Sequence, residues 1–358
     1  MREYYTRACN FYYGNEAKNL IVNKKALSLN SRQNIAFDQV EIFQRKKNNT
    51  IEGKLHHITE IKNLNKLMLS EIERDIENIT AERKSILGLK FDIPQIMGAL
   101  NITPDSFSDG GLFFESTKAY DQAKLMIEDG ATIIDIGGES TRPGSKIVDE
   151  KKEWLRVQDT IKKFKKDFPK VLLSLDTRKS HVMSHGIENG VDIINDVSGL
   201  NFDRKSFDLI NSKKIPFVLH HMQGTPDTMQ NNPNYKDVIL DIFDFFEEKI
   251  NFCVQQKYKK EFIIIDPGIG FGKNLDHNLR LMSKISIFHS LRCPILLGTS
   301  RKRFIEHIVT KFDTPDRTGG TLASTLYGLS QGVQIFRIHN VKEINQGILV
   351  FNKILNTN

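Results

Sequence analysis

Cysteine is scarce in this chain of 358 residues: Cys9, Cys253 and Cys293 form an odd set with no Cys-x-x-Cys spacing. That excludes a disulfide framework and a cysteine zinc site, and the three read as reduced thiols. Long apolar runs are missing as well. Nothing approaches the roughly 20 residues of a membrane span, and the start, Met1 to Arg7, lacks the apolar core of a secretion signal, so a cytoplasmic protein is expected. The sequence has no Gly-x-Ser-x-Gly, and its Ser, His and Asp residues form no recognisable triad order, which leaves covalent hydrolytic catalysis with little support. The Gly-x-Gly-x-x-Gly turn that follows the first strand of an open dinucleotide-binding sheet is absent too.

Like-charge blocks are also missing. The net charge is +7, and residues 1–90 carry 16 Lys and Arg against 11 Asp and Glu, so most of the excess sits in the leading segment. Its cations alternate with Glu and apolar residues instead of forming a stripe, which argues against a nucleic-acid arm. With 39% hydrophobic and 27% charged residues the composition is that of a folded globular chain. Its length suits an α/β barrel of about 250 residues plus an extension.

The sequence divides accordingly into residues 1–90 and 91–358. Up to about residue 54 the runs Leu20–Val22, Ala26–Leu29 and Phe37–Phe43 read as short strands of a small β-rich unit. Tyr4, Tyr5, Phe11, Tyr12 and Tyr13 are expected to pack that unit on the main domain rather than stack on bases. From His57 to Leu87, Ile61, Leu64, Met68, Ile72, Ile76 and Ile79 recur at spacings of three and four and predict one amphipathic helix. Beyond Pro94, apolar strands near 95–101, 132–137, 171–176, 192–197, 216–221, 262–267, 294–299 and 334–339 alternate with helical stretches. This pattern predicts a closed parallel (β/α)8 TIM barrel.

The strand ends carry the chemistry. Met97–Gly111 runs from an apolar strand into a polar loop, and Asp176, Asn195 and Asp266 close three other strands. Each acidic residue taken alone reads as a cap for the next helix. Together on one rim they suit the amino and ring N–H groups of a planar nitrogen heterocycle. Arg142, Arg301, Lys302, Arg337 and His339 lie at or just past strand ends and suit an anion, with the loops after the seventh and eighth strands as a phosphate site. Asn101 offers an oxygen ligand suited to Mg²⁺. His220 and His221 are adjacent in a strand, point to opposite faces and are unsuited to sharing one metal ion.

Met97–Gly111 and Ile136–Gly144 closely resemble the two signature loops of the dihydropteroate synthase family, folate-pathway enzymes that sulfonamides target. The likeness continues through Leu175–Thr177, Ile194–Asp196, His221–Pro226, Asp266–Lys273, Gly298–Lys302 and Arg337–His339, over roughly residues 95–358. It implies transfer of a pterin-methyl group from 6-hydroxymethyl-7,8-dihydropterin pyrophosphate to 4-aminobenzoate, with release of pyrophosphate. It implies that Asp176, Asn195, Asp266 and Lys302 hold the pterin, and that Asn101, Arg337 and His339 hold the pyrophosphate, Asn101 also ligating Mg²⁺. Thr141, Arg142, Pro143, Phe271 and Ser300 would form the aminobenzoate side, Asn101, Asp176, Lys302, Arg337 and His339 would be the catalytic set, and segments 102–114 and 139–149 would close over the substrates of a homodimeric enzyme. Asn340 departs from the Asp that often follows the final Arg-x-His of the family. A pterin-binding methyltransferase and a non-catalytic pterin-binding protein are the alternatives, the first needing none of the pyrophosphate and arylamine loops.

Overall fold

The computed structural model describes residues 2–46, 50–102, 111–142, 144–309 and 316–357, of which Leu67 and residues 111–116 are described by their backbone alone. Two sheets organise them. The first is built from β1 (Tyr4–Tyr13), β2 (Leu27–Ser28), β3 (Ile35–Arg45) and β4 (Ile51–His57). β3 pairs antiparallel with β1 along one edge and with β2 and β4 along the other. Ile35, Phe37, Val40 and Ile42 of β3 and Ala8 of β1 bury in one cluster with Ile72 and Ile79 of α2 (Lys66–Thr80).

Two expectations for this region need correcting. Leu20–Val22 is the end of a helix, α1 (Gly14–Val22), because Ala17, Leu20 and Ile21 recur at helical spacing and pack on Ala26, Ala36 and Tyr12. The helix expected over 57–87 is shorter than its periodicity suggested. Residues 51–57 are β4, Ile58–Asn63 form a 3₁₀ turn capped by His57 and Glu60, and only 66–80 are α-helical. The spacing of Ile61 and Leu64 fits either helix type, and the extended backbone at Leu64 separates the two.

The second sheet is a barrel. In chain order its strands are β5 (Gln95–Asn101), β6 (Ile133–Gly137), β7 (Leu172–Asp176), β8 (Ile193–Asp196), β9 (Phe217–His220), β10 (Ile263–Asp266), β11 (Leu296–Leu297) and β12 (Ile335–Ile338). All neighbours are parallel, in the order β10-β9-β8-β7-β6-β5-β12-β11, and a parallel bridge between Ile265 and Ile295 closes the ring. The (β/α)8 expectation is met, with β11 the shortest strand. Met97, Ile133, Ile193, Val218, Ile264, Leu296 and Ile335 meet at the bottom of the barrel, and Ile86, Leu89 and Phe91 from the preceding segment pack onto them as a floor. Ile96, Leu100, Ile134, Ile136, Leu173 and Leu175 belong to the larger cluster shared with the surrounding helices.

Helices follow the strands: among them are α3 (Gly111–Glu128), α6 (Ser206–Lys213), α8 (Leu275–Ser283), which gives way to a 3₁₀ run Ile285–Leu291, α9 (Arg303–Ile308) and α11 (Val341–Leu355). Of the rest, Asp149 caps α4 (Glu150–Asp167) and Asp237 caps α7 (Val238–Gln255), each carboxylate accepting from two backbone N–H groups; α5 (Ser180–Glu188) and α10 (Thr318–Ser330) complete the set. Among the described residues no helix is long and apolar enough to cross a membrane.

Charged and aromatic side chains weld the first sheet to the barrel. Arg2 pairs with buried Asp75 of α2 and with Glu247 of α7 (2.9 Å), and Arg45 pairs with Asp241 (3.3 Å) and Asp244 (3.0 Å). Tyr5 donates to Asp244 (2.7 Å) and sets its ring edge-on to Phe243, and Tyr13 donates to the Ser330 carbonyl. Those two tyrosines pack the units together as expected, whereas Tyr12 donates to Asp38 within its own sheet. Asp75 is fully buried, and burial pushes its pKa up to about 6 even beside Arg2. Arg2→Ala would leave that carboxylate with a single bond, from the Thr6 N–H. A loss of about 3–5 kcal/mol in unfolding free energy is therefore expected in urea denaturation.

Candidate active site

The C-terminal ends of the barrel strands surround a cavity of about 1030 Å³. Asn101, Thr141, Arg142, Asp176, Asn195, Asp266, Phe271, Ser300, Lys302, Arg337 and His339 all line it. Every residue picked from the sequence is therefore brought to one place except Pro143, which lies outside the described residues, as do positions 103–110 of the first signature loop.

Arg337 stands at the centre. From β12 its Nε donates to Asp135 Oδ2 (2.7 Å) and its Nη2 to Asp176 Oδ2 (3.0 Å), so one guanidinium bridges two strands of carboxylates. Asp135 is fully buried and also accepts from Ser174 Oγ (2.6 Å) and Asn195 Nδ2 (3.0 Å). Asp176 is different. Arg337 is the partner its side chain has among the described residues, and the remaining oxygen faces the cavity. Neither Asp176 nor Asp266 caps a helix: Asp266 accepts from Gly268 N–H (2.8 Å) in its own loop, which decides against the plainer reading of these strand-end acids.

Electrostatics follow from burial. Desolvation and the neighbouring Asp135 carboxylate push the Asp176 carboxyl well above the usual range, against the pull of Arg337. Burial raises Asp266 as well, opposed by the Gly268 N–H and Lys302. Lys302 is pushed down by burial and by Arg337, with Asp266 and Asp176 opposing. Its ammonium lies 3.8 Å from the Phe271 ring centroid and has no hydrogen-bond partner among the described residues. His339 is held neutral, its pKa pushed down to about 3 by burial and by Arg337. Ser300 Oγ accepts from the His339 N–H (3.1 Å) and lies 3.0 Å from Nδ1, which leaves Nε2 for the cavity. Such a set of raised acids and depressed bases in one cleft marks a functional site.

The second wall is apolar. Phe271 clusters with Met222 and Met229, and the His220 ring stands edge-on to it at 4.6 Å. His220 lines the cavity and donates from Nδ1 to the Val197 carbonyl (3.0 Å), while His221 turns away to Phe245 and Lys273, so the two do not meet at one point. Phe271 sits in a loop where Gly268 and Gly272 have no room for side chains: a Cβ on Gly268 would lie 1.9 Å from the His221 carbonyl oxygen, and its φ is +69°. Lys273 Nζ fixes that loop by donating to His221 Nδ1 (3.0 Å) and the Phe271 carbonyl (2.9 Å). Asn340, where an Asp was expected, accepts from Arg301 Nε (2.8 Å).

Asp135 and Lys273 are the groups that strand-end reasoning overlooked. A signal existed for the first: Asp135 and Gly137 share the inward face of β6 while Ile134 and Ile136 face out, and a carboxylate within an apolar strand demands a cation.

A (β/α)8 barrel whose rim cavity joins paired carboxylates, an amide and a lysine to an arginine and a histidine is an enzyme for a planar polar heterocycle carrying an anionic group. A family model described as pterin binding enzyme matches residues 97–339. The dihydropteroate synthase of Escherichia coli (strain K12) is 40% identical over 262 residues, 73% of this chain and 92% of that protein. Among solved structures, Xanthomonas albilineans dihydropteroate synthase with 4-aminobenzoic acid shares 34% identity with a TM-score of 0.69, covering 74% of this chain and 94% of that one. The same enzyme in complex with 7,8-dihydropteroate shares 31% with a TM-score of 0.67, covering 74% and 95%. The chain belongs to the pterin-binding enzymes and, within them, to the dihydropteroate synthase family.

Arg337→Met removes the charge that opposes the rise in the Asp176 pKa. Carboxylates whose pKa is raised in the folded state bind more protons there than in the unfolded chain, so stability falls as pH rises. The variant is expected to show a steeper loss of unfolding free energy from mildly acidic to mildly basic pH than the parent, measured by denaturant titration across that range.

Proposed function

We propose that the protein is a dihydropteroate synthase, joining 6-hydroxymethyl-7,8-dihydropterin pyrophosphate to 4-aminobenzoate and releasing pyrophosphate. The observation that carries this is the single cavity that Asp176, Asn195, Asp266, Lys302, Arg337, His339, Thr141, Arg142 and Phe271 line together, with the Lys302 ammonium against the Phe271 ring. Support comes from relatives bearing that name and from the Xanthomonas albilineans structures with 4-aminobenzoic acid and with 7,8-dihydropteroate.

Each residue has work in that reaction. Asp176 offers its cavity-facing oxygen to pterin N–H groups, Asn195 does the same from β8 and Asp266 from β10, and Lys302 donates to a ring carbonyl. Positive charge grows on the pterin-methyl carbon as the bond to pyrophosphate breaks, and the two aspartates are placed to oppose it. Arg337 and the His339 Nε2 face the departing oxygens. A neutral arylamine then attacks, so the protein needs no strong nucleophile. Phe271 and Met229, backed by Met222, give its ring an apolar wall, and Thr141, Arg142 and Ser300 complete that side.

Mg²⁺ fits this site. Magnesium takes one or two protein oxygens and fills its shell with water and substrate phosphate, and Asn101, at the end of β5 on the cavity, offers an amide oxygen of that kind. When bound, the ion would draw charge from the leaving pyrophosphate. A homodimer in the cytoplasm is the proposed working form, from the family resemblance and from three buried free thiols that suit a reducing compartment.

Incubation with the pterin pyrophosphate, Mg²⁺ and 4-aminobenzoate should release pyrophosphate only when the arylamine is present; release independent of it, or none, would overturn the reading. Asp176→Asn keeps the shape but not the charge, and is expected to lower kcat/KM by about 100- to 1,000-fold.

A further inference from the structure

We infer that Glu139 is a positioning residue, a latch that holds residues 140–142 and 144–148 against the arylamine half of the cavity. The inference rests on the reading proposed above, because that loop carries Thr141 and Arg142.

Glu139 does not line the cavity, and it is buried, with 5% of its surface exposed. Gly138 sends it there: a Cβ on Gly138 would lie 2.8 Å from the Glu153 carbonyl oxygen, so the chain leaving β6 presses directly on the first turn of α4. One carboxylate oxygen accepts from Arg178 Nε (2.9 Å); the other accepts from Lys179 Nζ (2.5 Å) and from the backbone N–H of Val148 (2.8 Å). The last bond ties the far end of the loop to its near end. Lys179 is shared with Glu153, which also accepts from Thr177 Oγ1 (2.6 Å). Two acids and two bases, each at most 5% exposed, thus form a neutral buried cluster.

Buried ion pairs seldom add much net stability, whereas they fix geometry well. Here the geometry that is fixed joins two substrate subsites. Thr177, Arg178 and Lys179 directly follow Asp176, the pterin-facing acid, and through Glu139 they set where Thr141 and Arg142 stand. A second tie, from Gly144 N–H to the Pro226 carbonyl (2.9 Å), reaches the loop that carries Met222 and Met229. The arylamine wall is therefore assembled from three loops with Glu139 as the member that spans one of them end to end.

Two variants of the full-length enzyme separate this role from general support. Glu139→Gln keeps an acceptor for Val148 but removes the charge facing Arg178 and Lys179. Val148→Pro removes only the latch N–H and leaves the ion cluster intact, so it tests the idea even if the first variant folds poorly; Val148→Ala, which keeps the N–H, is the rescue control. The expected result is a KM for 4-aminobenzoate raised about tenfold in Val148→Pro and at least as much in Glu139→Gln, with the Kd for a pterin analogue at the parent value and Val148→Ala matching the parent. A parent-like arylamine KM in Val148→Pro, or equal losses for pterin and arylamine, would overturn the latch while leaving the proposed reaction standing. A parent protein without arylamine-dependent turnover would remove both.

Discussion

A single guanidinium shared by two buried carboxylates is the constraint on which the site depends. Arg337 on β12 reaches Asp135 on β6 and Asp176 on β7, and it ties β12 to both of those strands across the barrel mouth. Asp135 is saturated by Arg337, Ser174 and Asn195, so it serves to hold its neighbours. Asp176 keeps one oxygen for a ligand. The asymmetry matters: one acid absorbs the arginine's charge permanently, and the other can exchange it for substrate N–H groups while Arg337 stays anchored. A lone arginine here would be costly to bury, and a lone pair of acids would take up protons.

The extension and the barrel obey the same physics with a different outcome. Arg2, Arg45 and Tyr5 meet Asp75, Asp241 and Asp244 across the seam, and Ile86, Leu89 and Phe91 fill the barrel floor before the first barrel strand begins. These contacts lie against α7 and the opposite end of the barrel from the cavity. They give the leading segment a part in holding the fold and none in lining the site.

Much of this was legible because strands buried on both faces must be continuously apolar, so a polar residue at their end is conspicuous. Asp176, Asn195, Asp266 and Arg337 stand out for that reason, and the eight strands with them. Three kinds of feature were not legible. Leu20–Val22 is apolar and short, and such runs suit a strand or a helix until the Ala17 face is seen to pack. The helix over 57–87 was overdrawn because 3₁₀ and α turns share a spacing of three. Asp135 and Glu139 act through partners far away in the chain, 202 residues for Asp135 with Arg337 and 40 for Glu139 with Lys179, and no local pattern announces such pairings.

The most direct measurement is a crystal structure of the enzyme with a bound pterin. The account predicts the heterocycle between β7 and β10 with Asp176 and Asp266 accepting from its N–H groups, Lys302 within hydrogen-bonding distance, and Arg337 still paired with Asp135. A pterin bound elsewhere, or one that leaves the Arg337–Asp176 pair closed and touches neither aspartate, would contradict it.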